Sequence, residues 1–172
     1  MRAHSLSEEV LVAEGPIVEL DTADVDELKR ASLATARRRI RICAHPDTED
    51  RLHEMLIVHG SGAYVRPHKH EGKSESTHVV EGEADVIFFD DDGDVSEVFR
   101  IGRYGSPHRF YYRIDSPVFH TLLIRSEFLV FHEVTTGPFR REDTVFAPWA
   151  PDESDPDACA AFMADLAHRI AR

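Results

Sequence analysis

Residues 62–82 read G-A-Y-V-R-P-H-K-H-E-G-K-S-E-S-T-H-V-V-E-G, and the fold follows from how that stretch is taken. Two histidines, His68 and His70, stand one residue apart, Glu75 comes five residues on, and Gly62 and Gly82 close the two ends. Side chains two apart in a strand share a face, so His68 and His70 point the same way, with Cα atoms about 7 Å apart. Imidazoles at that spacing can converge on one ion at roughly 2.0–2.2 Å. Glu75 has the wrong parity for an unbroken strand. The polar, glycine-containing Glu71–Ser74 segment therefore predicts a turn or bulge that returns the glutamate beside His70. His120, about fifty residues later, supplies a third imidazole. Three histidines and a carboxylate form a nitrogen and oxygen donor set that suits one divalent ion, and iron, manganese, zinc and nickel are all compatible with it.

The pattern outward from this core is strand-rich. Arg37–Cys43 alternates, with Arg39, Arg41 and Cys43 on one face and Ile40 and Ile42 on the other. Further strands are predicted over Leu52–His59, Ala84–Phe89, V-S-E-V-F-R-I, F-Y-Y-R-I, V-F-H-T-L-L-I and F-L-V-F-H-E-V. Asp90–Asp94 is a hairpin tip with an Asp-Gly turn signal, and its acids lack the spacing of a calcium loop. About nine short strands at roughly ten-residue spacing predict a sandwich or barrel. A helix is predicted over residues 22–36, capped by Asp24 with Glu27, and another from Asp155-Pro156, with Cys159, Phe162, Met163, Leu166 and Ile170 on one face. The chain divides into an N-terminal arm and helix (1–36), a barrel (37–136) and a C-terminal arm and helix (137–172), all one domain. Phe146 and Trp149 are expected to pack the second arm on the barrel.

The spacing from Gly62 through His68, His70 and Glu75 to Gly82 resembles the first motif of the cupin superfamily at every fixed position. The second motif is met by D-S-P-V-F-H, Asp115 to His120, which keeps the histidine but places Asp115 and Pro117 where proline and glycine are usual. R-R-R-I-R-I-C-A-H, H-E-M-L-I, F-D-D-D-G, F-H-T and F-A-P-W-A-P extend the likeness to WbuC-type cupin metalloproteins. The resemblance implies a mainly β fold, a double-stranded β-helix or jelly-roll barrel with short flanking helices. It implies one metal ion on His68, His70, Glu75 and His120, and a homodimer in which an N-terminal strand pairs across the interface. It implies His45 and Arg39 or Arg41 at the pocket, and Glu133 beside the ligands. Four protein ligands leave one or two coordination positions open, which suits an enzyme of oxygenase, isomerase or lyase type acting on a small sugar or acid; the resemblance adds a link to O-antigen or surface-polysaccharide metabolism. The alternative is a metal-containing module that binds such a metabolite without turning it over. On the residues alone, Tyr64 shares the inward parity of His68 and either lines the pocket or fills the core. Lys73 either meets an anion at the mouth or is a turn lysine.

Bulk properties narrow the class. A net charge of −12 speaks against nucleic acid and anionic membrane surfaces, and no apolar run is long enough to span a bilayer. Cys43 and Cys159 stand far apart and outside any C-x-x-C spacing, and residues 1–9 lack the apolar stretch of a leader, so a reducing cytoplasm is expected. A divalent ion with one glutamate leaves the site itself at about +1, a charge that favours an anionic small molecule.

Overall fold

The computed structural model describes residues 1–171. The strands are β1 (Ala3–Ser7), β2 (Val10–Ala13), β3 (Arg39–Cys43), β4 (Leu52–Gly60), β5 (His68–His70), β6 (Glu75–Glu81), β7 (Glu83–Phe89), β8 (Val95–Gly102), β9 (Tyr111–Ile114), β10 (Phe119–Ile124), β11 (Phe128–Thr136) and β12 (Thr144–Phe146). Two helices, α1 (Thr22–Ala34) and α2 (Pro156–Ile170), flank them. A seven-stranded sheet runs β1-β2-β3-β4-β11-β6-β9 and a five-stranded sheet runs β12-β5-β10-β7-β8. Every named pairing is antiparallel except β2 with β3. Chain neighbours repeatedly fall in opposite sheets, which is the jelly-roll arrangement of a cupin-type double-stranded β-helix.

Period-two alternation sorts the side chains into three layers. Cys43, Met55, Ile57, Val79 and Phe131 of the large sheet meet Ala84, Val86, Ile101 and Leu122 of the small one in the barrel interior. The opposite face of the large sheet, including Ile40, Ile42 and Val58, packs on Leu28 of α1. The outer face of the small sheet, with Ile87, Phe89 and Phe119, is covered by Leu166, Phe162 and Met163 of α2 together with Trp149. Full burial of a leucine such as Leu28 or Leu166 contributes roughly 2–3 kcal/mol.

Several expectations change. The first helix is capped by Asp21, whose carboxylate accepts from the Asp24 N–H while Asp24 accepts from Asp21, each at 3.0 Å. Acidic residues recur at three-residue spacing through this turn, so the box moves one step upstream. Within the chain, β1 and β2 form a hairpin, and β2 docks in parallel on β3. The sheets therefore extend beyond residues 37–136. The second arm is not wholly irregular either, because Thr144–Phe146 adds β12 to the small sheet. Three residues are too few to carry a readable alternation; their partner strand makes them β. Trp149 packs as expected, 4.9 Å from Phe89 and 5.9 Å from Phe119 between ring centroids, whereas Phe146 remains 41% exposed.

Candidate metal centre

β5 holds two of the four expected donors and is only three residues long. It is paired to β10 at His68↔His120 and to β12 at Thr144↔His70, Val145↔Lys69 and Phe146↔His68. The Glu71–Ser74 segment then carries the chain from the small sheet to the large one, with Gly72 at φ +67°. Glu75 consequently faces His70 from the opposite sheet, where the sequence suggested a simple reversal. At the far end of β6, Gly82 has φ +84°, and a Cβ there would lie 2.0 Å from the Phe128 carbonyl oxygen. Only glycine fits both the dihedral and the space.

The four side chains meet inside the barrel. The rings of His68 and His120 are 4.6 Å apart, those of His68 and His70 5.0 Å, and those of His70 and His120 6.2 Å. Glu75 is buried, with one carboxylate oxygen 2.9 Å from His120 Nε2 and the other 3.3 Å from His70 Nε2. The outer nitrogens are tied back. His68 Nδ1 donates to the Arg66 carbonyl at 2.8 Å and His120 Nδ1 to the Val118 carbonyl at 2.9 Å. A carbonyl only accepts, so Nδ1 carries the proton in both rings and Nε2 is directed to the cluster. Thr144 Oγ1 lies 3.2 Å from His70 Nδ1.

Burial, reinforced by the neighbouring His120 and His70, pushes the His68 imidazole down to about 3, so it is neutral. Burial opposes charge on Glu75 and His120 as well, but the hydrogen bonds between them outweigh it. Glu75 is held below the usual carboxylate range and His120 is raised.

Among the described residues, no set of three or more His, Cys, Asp and Glu side chains stands spread around an ion as placed. The donor chemistry nevertheless fits one. Ligands at right angles on bonds of about 2.1 Å are about 3 Å apart, close to the two Glu75–imidazole separations. Second nitrogens fixed by carbonyl or hydroxyl oxygens are the usual support for metal-binding imidazoles.

The remaining predicted residues fall into two groups. Arg41 lines the cavity that opens at His68, together with Arg39. Glu133 has the inward parity of Leu129 and Phe131, and its carboxyl is pushed up to about 8 by burial and by the charge of Glu75. Tyr64, by contrast, turns out of the barrel. Its hydroxyl donates to the Pro151 carbonyl at 3.0 Å and its ring meets Phe162 of α2, because the segment before β5 is not a regular strand and parity fails there. Lys73 is held by the C-terminal arm, donating to the Pro138 carbonyl at 2.7 Å and pairing with Asp143 at 3.2 Å. His45 is buried and stacks on His53 at 4.0 Å. Residues not singled out from sequence also reach the cavity, namely Arg37, Arg66, Arg141 and His59. Strand parity with Met55 and Ile57 was the available signal for His59.

The comparisons leave the chemistry open. A domain of unknown function (DUF6016) matches residues 20–101. No curated protein matches the chain in sequence. Among solved structures, protein SO0799 from Shewanella oneidensis is similar at TM-score 0.51 and 7% identity, over 62% of this chain and 72% of that one. An oxalate decarboxylase variant from Bacillus subtilis is similar at TM-score 0.46 and 20% identity, over 56% of this chain and 24% of that one. Procruciferin, an 11S globulin from Brassica napus, is similar at TM-score 0.43 and 20% identity, over 51% and 21%. The chain thus spans about a quarter or less of the last two. No described helix is long and apolar enough to cross a membrane.

Proposed function

We propose that this chain is a metal-dependent cupin enzyme of WbuC type, with one divalent ion held by His68, His70, Glu75 and His120, acting on a small polar metabolite. The observation that carries the proposal is the orientation of the imidazoles. His68 and His120 each commit Nδ1 to a backbone carbonyl and leave Nε2 to the buried Glu75 cluster. A purely structural group of core histidines has no need of three rings and a carboxylate with their nitrogens facing one another, since each buried charge there costs free energy unless it is used.

When bound, iron, manganese, zinc or nickel would supply Lewis acidity toward a substrate oxygen. The protein's own groups do the rest. Glu75 carries the charge that balances the ion, Thr144 and the two carbonyls fix the rings, and the cavity at His68 admits substrate. Glu133, whose carboxyl is pushed up by burial and by the charge of Glu75, is the candidate proton carrier beside the centre. The link to surface-polysaccharide metabolism rests on the WbuC resemblance alone.

Elemental analysis of protein purified without added metal tests the centre. One equivalent of a transition metal is expected in the natural sequence and none in His70→Ala, with turnover of candidate sugars and acids lost in parallel. Equal metal content in both proteins would overturn the ligand assignment.

A further inference from the structure

The cavity that opens at His68 has a volume of about 530 Å³ and is lined by five arginines, Arg37, Arg39, Arg41, Arg66 and Arg141. Three carboxylates also line it, Glu9, Asp152 and Glu153, leaving a formal excess of two positive charges in a chain whose net charge is −12. The carboxylates are already engaged. Glu9 pairs with Arg37 at 2.5 Å and Arg39 at 3.2 Å, Glu153 with the same two at 2.5 and 2.9 Å, and Asp152 with Arg66 at 2.5 Å. Arg41 and Arg141 have no carboxylate partner among the described residues, and both remain open to solvent.

Two further polar atoms on this cavity lack partners. His59 Nδ1 and Arg66 Nε are buried and make no hydrogen bond, and His59 as a whole is only 7% exposed. Each buried polar atom left unpaired costs about 1–3 kcal/mol. Apolar surface is present too, from Val65, Phe139 and Phe146, and the Arg66 guanidinium lies 4.9 Å from the Phe146 ring centroid. Guanidinium forks match the paired oxygens of carboxylate and phosphate, which a neutral hydroxyl cannot imitate.

Taking the His68 cluster as the reacting centre proposed above, we infer that this chamber selects an organic oxyanion, a carboxylate or phosphate ester, anchored by Arg41 and Arg141 with its reacting end toward His68. Arg37 and Arg39, cross-linked by Glu9 and Glu153, form the rigid wall behind that anchor.

The test is calorimetric titration of the full chain, its metal content measured beforehand, with malonate, glycerol 3-phosphate and uncharged glycerol. At least one anion binds and glycerol does not. Whichever anion binds tells carboxylate from phosphate. Arg41→Gln and Arg141→Gln each weaken that binding by about tenfold or more, the effect of losing a charge-assisted hydrogen bond. Arg103→Gln, exposed and away from the cavity, leaves it unchanged. Thermal melts of both cavity variants match the parent, since neither side chain has an ion pair to lose. Binding of glycerol as tight as the anions, no anion binding, or full anion affinity in both cavity variants overturns the inference. Full metal content without anion binding counts against the chamber alone; anion binding in a metal-free protein counts against the centre alone.

Discussion

His68 and His120 are directly paired across β5 and β10, with ring centroids 4.6 Å apart. This cross-strand pair places one donor on each of two adjacent strands and aims both Nε2 atoms inward. Replacing either ring by alanine is therefore expected to abolish stoichiometric metal binding while the β-sheet circular dichroism persists, because the apolar layers are large enough to hold the sheets without the ion. Metal analysis beside a melting curve reads both halves of the expectation.

Thr144 acts on His70 from β12, with its hydroxyl 3.2 Å from Nδ1. Thr144→Val keeps the shape and removes the oxygen. Metal affinity should fall by about 10–100-fold, the usual cost of losing such a supporting contact, with little change in melting temperature. A chelator competition assay measures it. Unchanged affinity would mean that His70 is oriented by packing alone.

Asp85 anchors the outer face of the small sheet. It is buried and accepts from Arg100 Nε at 2.7 Å and Arg125 Nε at 2.7 Å. Burial alone would raise its pKa, but the two guanidiniums outweigh it and hold the carboxylate below its ordinary 3.8. A lowered folded value means that the stabilisation is fully present above pH 3.8 and is lost as pH falls through the lower folded value. Asp85→Asn should cost roughly 1–3 kcal/mol at neutral pH. It should also flatten the loss of stability as pH falls below about 3.8. Urea melts across that range are the measurement.

Gly82→Ala is expected to destabilise the fold by at least about 2 kcal/mol, since the added methyl meets both a left-handed φ of +84° and the Phe128 carbonyl. Gly62→Ala offers the comparison: φ is +82° but nothing lies within 4 Å of the added Cβ, so only the conformational cost of about 1–2 kcal/mol applies. Equal costs for the two would refute the steric part of this account.

The strand pattern carried most of this fold into the sequence. Leu129, Phe131 and Glu133 alternate cleanly with Phe128, Val130 and His132, and the two sets separate into the interior and the α1-facing layer. The approach of His68, His70 and Glu75 was legible because their spacing is tied to turn glycines, and Gly82 shows why such a residue stands there. Parity failed at Tyr64, which lies in a stretch without regular backbone, where side-chain direction no longer alternates. The arginine chamber was only partly legible. Arg39 and Arg41 share a strand face, but Arg66 and Arg141 join them through tertiary approach, which one-dimensional spacing does not encode.

β12 gives the barrel an unexpected dependence on its tail. A chain cut after Thr136 would keep His68, His70, Glu75 and His120, yet the histidine-bearing ribbon would be left with a lone paired position to β10 on one side and a raw edge on the other. Anyone transplanting this centre into another scaffold, or trimming the protein to a minimal barrel, must therefore bring the distal segment along with it.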